Sequence, residues 1–175
     1  GEAVGQPALA AAVGLQLVEE DPDGLGRYRW RHALTEEAIH DEVVTPRRQA
    51  IHSRTADVLA TDESVPAIEV ANHLLWAGRF EEAVPLCLRS AEEAERSAAF
   101  REAASLLERA LPQIHARVEH AMVVCRIGHD LARNGEPGPA EGYLAEGIQA
   151  LEELGETRAA ARFRIILGRC YWERS

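Results

Sequence analysis

From Gly78 onward the sequence restates one short phrase, and that repetition constrains the fold more than any other feature. "GRFEEAVPLCL" (78–88) returns as "AAFREAASLLERAL" (98–111), and "VCRIGHDL" (124–131), "AEGYLAEG" (140–147) and "ILGRCYW" (166–172) are looser versions. Each sets alanines, leucines and small residues at helical spacing, with acids and arginines on the remaining face. Gly78, Gly135 and Gly155 fall where helix C-terminal caps belong, and Pro66 falls where a helix begins. Units this short cannot bury their own apolar faces, so they must stack on one another. The expected architecture is a series of antiparallel helix pairs forming an α-solenoid. Pro85 is tolerable near the start of its helix, and Pro112 marks an early helix end.

The chain before this array reads differently. Residues 7–34, "PALAAAVGLQLVEEDPDGLGRYRWRHAL", predict a short helix, a strand, a turn and a second strand. Leu15, Leu17 and Val18 lead into the turn at 19–26, which carries Pro22, Gly24 and Gly26. The return strand, 27–32, alternates strictly, with Tyr28, Trp30 and His32 on one face and Arg27, Arg29 and Arg31 on the other. Thr35 is the expected cap of a helix running to about Val44, with Glu36 and Glu37 at its positive end. Thr45-Pro46 then starts another helix, with Ile51, Thr55, Val58 and Leu59 as its apolar stripe. The polar connection "ATDESVP" (60–66) is the expected boundary between a 1–60 region and a 61–175 repeat array.

Composition removes several functions. A net charge of −10 disfavours general attraction to nucleic acid or an anionic membrane surface. No stretch is apolar for the length of a membrane span and no signal-peptide pattern opens the chain, so a cytoplasmic location is expected. Every cation is an arginine, so a P-loop lysine and Schiff-base chemistry are both out of reach of this chain. There is no Gly-x-Ser-x-Gly elbow, no His-Glu-x-x-His pair and no glycine-rich phosphate loop, so catalysis by this chain is not expected. Cys87, Cys125 and Cys170 are expected to be buried thiols. His115, His120 and His129 do not stack on one helical face, and no metal site is expected.

Two stretches carry a family resemblance. "RWRHALTEEAIHDEVVTPRRQAIHSRTADVL" (29–59) resembles the segment that links winged-helix and tetratricopeptide regions in large bacterial STAND-type ATPase regulators, including LuxR-tailed transcriptional activators. "ANHLLWAGRFEEAVPLCLRSAEEA" (71–94) resembles the helical repeats that follow in the same proteins, and Leu167-Gly168-x-x-Tyr171 matches the first half of a tetratricopeptide repeat. The resemblance implies a mainly α fold: a partial winged helix with one β-hairpin, followed by tetratricopeptide-like antiparallel helix pairs. It also implies that the chain is part of a longer protein, extending before Gly1 and after Ser175, with ATP or ADP bound in an upstream nucleotide-binding domain and no cofactor in this part. In related STAND proteins a Met-His-Asp motif in the winged helix places its histidine against the β-phosphate of ADP. "Arg31-His32-Ala33" departs from that motif at two of three positions, so only His32 is carried over as a nucleotide-sensing residue. The alternative is that His32 packs beside Trp30 and bonds the backbone.

Aligned on the repeat pattern, Ala103, Leu107 and Ala110, and then Ala140, Leu144 and Gly147, fall where a repeat's second helix packs against its first. The same alignment puts Met122, His129, Arg133, Arg162, Arg169 and Trp172 on the concave face, which could receive an acidic peptide or a protein partner. The leading expectation is a regulatory, protein-interaction region of a STAND-type regulator that couples nucleotide state to a repeat arm. A stand-alone scaffold is the second reading. A DNA-binding winged helix ranks below both, because no cation occurs from Gly1 to Gly26, where a recognition helix would lie.

Overall fold

A computed structural model describes residues 2–21, 28–32, 35, 38, 39 and 42–173. The protein is mainly α-helical, with one antiparallel β-hairpin and successive antiparallel helix pairs. In order, the elements are α1 (Glu2–Gly14), β1 (Val18–Glu20), β2 (Tyr28–Trp30), α2 (Thr45–Leu59), α3 (Ala67–Ala77), α4 (Phe80–Arg96), α5 (Phe100–Ala110), a 3₁₀ turn (Leu111–Gln113), α6 (Arg117–Arg133), α7 (Pro137–Glu153) and α8 (Thr157–Glu173). The chain divides into two compact units, 1–48 and 49–175, with the division inside α2. The polar connection 60–66 is a bend between two helices of the second unit.

In the first unit, α1 ends in a left-handed cap rather than running into a strand at Leu15. Gln16 takes φ 58°, its N–H donates to the Val13 carbonyl, and the Leu17 N–H donates to Ala12. Leu15 and Leu17 therefore belong to the cap, and the strand starts at Val18. Val18 pairs with Trp30, Glu19 with Arg29 and Glu20 with Tyr28. Arg27 and the turn from Pro22 lie outside the described residues. Of the helix expected from Thr35, residues Thr35, Ala38, Ile39 and Glu42 are helical, and its remaining positions also lie outside that set.

Helix α2 begins at Thr45, where the Val44 carbonyl already accepts from the N–H groups of Arg47 and Arg48. Its buried face differs in part, although Leu59 of the expected stripe packs against the core. His52 and Ala56 are buried, whereas Ile51 and Val58 are more than half exposed. The helix turns its small and polar residues toward α3 and α4, where Ala56 joins Val70, Leu74 and Ala83 in a compact cluster. Arg79, at the α3–α4 turn, ties the same helix down through Asp57 and the Ser53 hydroxyl while gripping both Glu82 carboxylate oxygens.

The helix pairs are joined by one turn used four times. Gly78, Ala98, Gly135 and Gly155 all have φ between 60° and 82°. Their N–H groups donate to Leu75, Glu95, Ala132 and Glu152, and the next N–H in each case reaches one residue further back, to Leu74, Ala94, Leu131 and Leu151. The residue after the left-handed position then starts the following helix. The carbonyls of Arg79, Ala99, Glu136 and Glu156 accept from Ala83, Ala103, Ala140 and Ala160. All four of those alanines are completely buried. Pro112 does end α5 early, as its 3₁₀ turn shows.

The core runs through α3 to α8, and its tightest contact is between α6 and α7. Leu107, Ala110, Leu144 and Gly147 are buried at the positions the repeat pattern assigns. A methyl group on Gly147 would lie 2.5 Å from the Cys125 sulfur, and one on Gly128 would lie 2.8 Å from Leu144. Cys87, Cys125 and Cys170 are buried thiols, and burial pushes the Cys125 thiol up to about 12. Among the described residues no helix is long and apolar enough to cross a membrane.

Two substitutions test this account from opposite sides. Gly147→Ala should lower unfolding stability by about 1–3 kcal/mol, the usual cost of overpacking. Ala98→Gly should raise it by about 0.5–1 kcal/mol by relieving an L-residue of a left-handed conformation. Urea denaturation of both variants checks the two signs.

Candidate functional site

Helices α6 and α8 flank a cavity of about 310 Å³ lined by His129, Ala132, Arg133, Gly135, Ile166, Arg169 and Cys170. The recurring turn accounts for the arrangement. It sends α7 back along α6 and then α8 back along α7, so α6 and α8 run in the same direction with their inner edges facing the gap. His129 and Arg133 are one turn apart on α6, and Ile166 and Arg169 occupy the facing edge of α8.

The electrostatics of this gap are cationic. His129 is half-buried, and its imidazole is held below its ordinary value first by burial, then by Arg133, with Arg162 and Arg169 adding to the effect and Glu95 opposing it. Arg133 also lies over the Phe100 ring, with its guanidinium carbon 4.3 Å from the ring centroid. Glu95 on α4 is paired with Arg126 of α6 at 2.8 Å. Beneath this layer Asp130 is almost wholly buried, and its Oδ2 has no hydrogen-bond partner among the described residues. Burial lifts the Asp130 carboxyl to about 7, assisted by the nearby Glu95 carboxylate and opposed by Arg126 and Arg133.

The residues expected on the concave face divide. His129, Arg133 and Arg169 line one cavity, and Arg162 is close enough to act on His129. Met122 is partly buried against the core instead, and Trp172 is 82% exposed and outside the cavity wall. His120 bonds the Ile114 carbonyl through Nδ1, and among the described residues no three potential metal ligands converge. Asp130, Glu95 and Arg126 were not anticipated from sequence. The available signal was an aspartate at Asp130 on the stripe that otherwise carries Val123, Ile127 and Leu131.

In the first unit His32 is exposed, and its carbonyl accepts from the Thr35 N–H. Tyr28 and Trp30 are also exposed, at 42% and 37%. The described arginines of the hairpin have local partners: Arg29 pairs with Glu19 at 2.9 Å, and Arg31 donates to the Gln16 side chain at 2.9 Å.

Because Asp130 binds its proton more tightly folded than unfolded, its contribution to stability is complete below about pH 4, where both states are protonated. It is lost as pH rises toward 7. Asp130→Asn should remove this loss and stabilise the protein at pH 8 by on the order of 2 kcal/mol relative to wild type, with little difference near pH 4. Thermal unfolding of both proteins across that range measures it.

No protein-family model matches the sequence, and no solved structure matches it. An uncharacterized protein of Rhizobium meliloti (strain 1021) is 34% identical over 92 residues, half of this chain. The matched stretch spans 9% of that relative, so what is similar here is one segment of a much longer polypeptide.

Proposed function

We propose that this chain is a regulatory, partner-binding region of a larger signal-transducing protein, and that the α6–α8 cavity receives acidic side chains or a carboxylate terminus of a peptide partner. The arginine-walled cavity carries the reading: two guanidinium groups, Arg133 and Arg169, and the His129 imidazole line a gap of about 310 Å³, and Arg162 adds its charge to His129 from nearby. Arginine suits this task because its planar donors match a carboxylate two at a time. The role is binding rather than catalysis, and a cytoplasmic setting fits it.

The longer parent is read as a STAND-type regulator, with ATP or ADP held in an upstream nucleotide-binding domain and the helix–hairpin of the first unit as the end of a winged-helix domain. His32 would sense the nucleotide there. The relative's much greater length is in keeping with this reading. A stand-alone scaffold would use the same cavity without nucleotide control. Nucleic acid is a poorer partner for the hairpin, because Glu19 already neutralises Arg29. In a parent chain that contains the nucleotide-binding domain, His32→Ala should speed ADP release, and unchanged release would remove that role.

Binding has a defined pH signature. An anion in the cavity offsets the arginines that depress His129, so binding takes up a proton and tightens as pH falls from about 8 toward 6. Fluorescence anisotropy with a labelled hexaglutamate peptide should show this tightening, with hexaglutamine as the control. Arg133→Glu combined with Arg169→Glu should weaken binding at least tenfold, and equal affinity in wild type and variant would refute the site.

A further inference from the structure

Helix α8 carries an exposed apolar stripe at helical spacing: Ala161, Ile165, Gly168 and Trp172. Ile165 is 71% exposed and Trp172 82%, and a methyl group on Gly168 would meet nothing within 4 Å. The same spacing occurs on two earlier helices, and there it is packed. Aligned on their first residues, Arg117 and Thr157, α6 places Ala121, Cys125, Gly128 and Ala132 where α8 has the four exposed residues. Helix α7 carries the spacing again as Ala140, Leu144, Gly147 and Leu151. The α6 and α7 stripes pack on each other antiparallel. A methyl group on Gly128 would lie 2.8 Å from Leu144 and 3.0 Å from the Ala140 carbonyl oxygen. One on Gly147 would lie 2.5 Å from the Cys125 sulfur and 3.1 Å from the Ala121 carbonyl oxygen. Each glycine is thus a notch that takes the alanine and the larger residue of the other helix.

We propose that the α8 stripe joins two copies of this chain, helix against antiparallel helix, in the register of α6 on α7. The stripe supplies both halves of that contact. At the α6 positions it offers Gly168 as the notch, and at the α7 positions it offers Ala161 and Ile165 as the pair that fills one. Gly168 of one copy therefore receives Ala161 and Ile165 of the other, and the reverse contact is the same contact. A two-fold interface requires that identity, because a residue i that meets j must also be met as j meeting i. In this register Trp172 of each copy lies over Ala161 of the other, a large side chain above a small one. Pairing takes the two most exposed apolar side chains of α8 out of water. The stripe is separate from the faces that α8 already uses. Phe163 and Leu167 pack on the core, and Ile166, Arg169 and Cys170 line the α6–α8 cavity. The neighbouring Arg164 is paired with Glu152 of α7, which reduces its repulsion across the interface.

Sedimentation equilibrium of the intact 175-residue chain, from about 1 to about 200 μM, should show monomer passing into dimer. Gly168→Leu separates the interface from the fold. Within one chain the new side chain starts in open space and replaces a glycine inside a helix, so the dilute monomer should unfold at the wild-type temperature or above it. Between copies it fills the notch, so the dimer dissociation constant should rise at least tenfold. Trp172→Ser changes an exposed side chain and should weaken the dimer in the same direction, which keeps the test open if the leucine variant misfolds. A wild-type chain that stays monomeric throughout, or a dimer that neither substitution weakens, overturns the proposal. A monomeric chain that instead binds a synthetic peptide of residues 137–153, the α7 sequence, also overturns it, because the stripe then takes a helix from elsewhere.

Discussion

The second unit depends on a single device, the left-handed corner that closes one helix and opens the next. In an ordinary helix end, several carbonyls and several N–H groups are left without partners. Here the residue after the corner serves both ends at once: the Arg79 N–H closes α3 on Leu74, and its carbonyl opens α4 on Ala83. So short a connection leaves little choice but an antiparallel return, and the four buried alanines let the two helix axes come close at the point of return. Further along the same helices the gap is filled by Leu107 and Leu144, or closed by Gly128 and Gly147. The solenoid follows from repetition of that corner, and the α6–α8 cavity is its consequence, since two returns carry α8 alongside α6.

This explains which parts of the structure could be read from sequence. The glycines at three of the four corners are visible, and so is the spacing of small and large residues behind them. Ala98 hides the fourth corner because nothing about alanine advertises a positive φ. The register of the corners also carried His129, Arg133 and Arg169 to one face, because that depends on helical periodicity alone. Met122 and Trp172 fit the same periodicity, yet one is taken into the core and the other faces outward, and that depends on how neighbouring helices tilt. Helix α2 was misjudged for a related reason. Its apolar stripe is real, but its buried face is chosen by His73 and Arg79, residues more than twenty positions away.

The polar interior has a common logic. Asp130 with Glu95 and Arg126, and His52 with His73, each join helices that are not consecutive in the chain or not held by a corner. Apolar contacts between alanine-rich faces tolerate sliding, whereas a buried carboxyl or imidazole is satisfied at only one register. Such groups cost stability when they must change protonation. Register is fixed, and at Asp130 the contact responds to pH in return.

The same local view resolves an apparent conflict between a net charge of −10 and the site proposed for anions. At physiological ionic strength, exposed charges more than about 8 Å apart are largely screened. The acids on the outer helix faces are therefore scarcely felt inside the α6–α8 gap. Among the groups that act on His129 there, Arg133, Arg162 and Arg169 stand against Glu95, whose charge is already engaged by Arg126. Burial first, and that cationic excess after it, lower the His129 imidazole. An acidic protein can therefore repel polyanions over most of its surface and still hold a carboxylate in one recess, and the overall repulsion favours ligands small enough to place their charge within it.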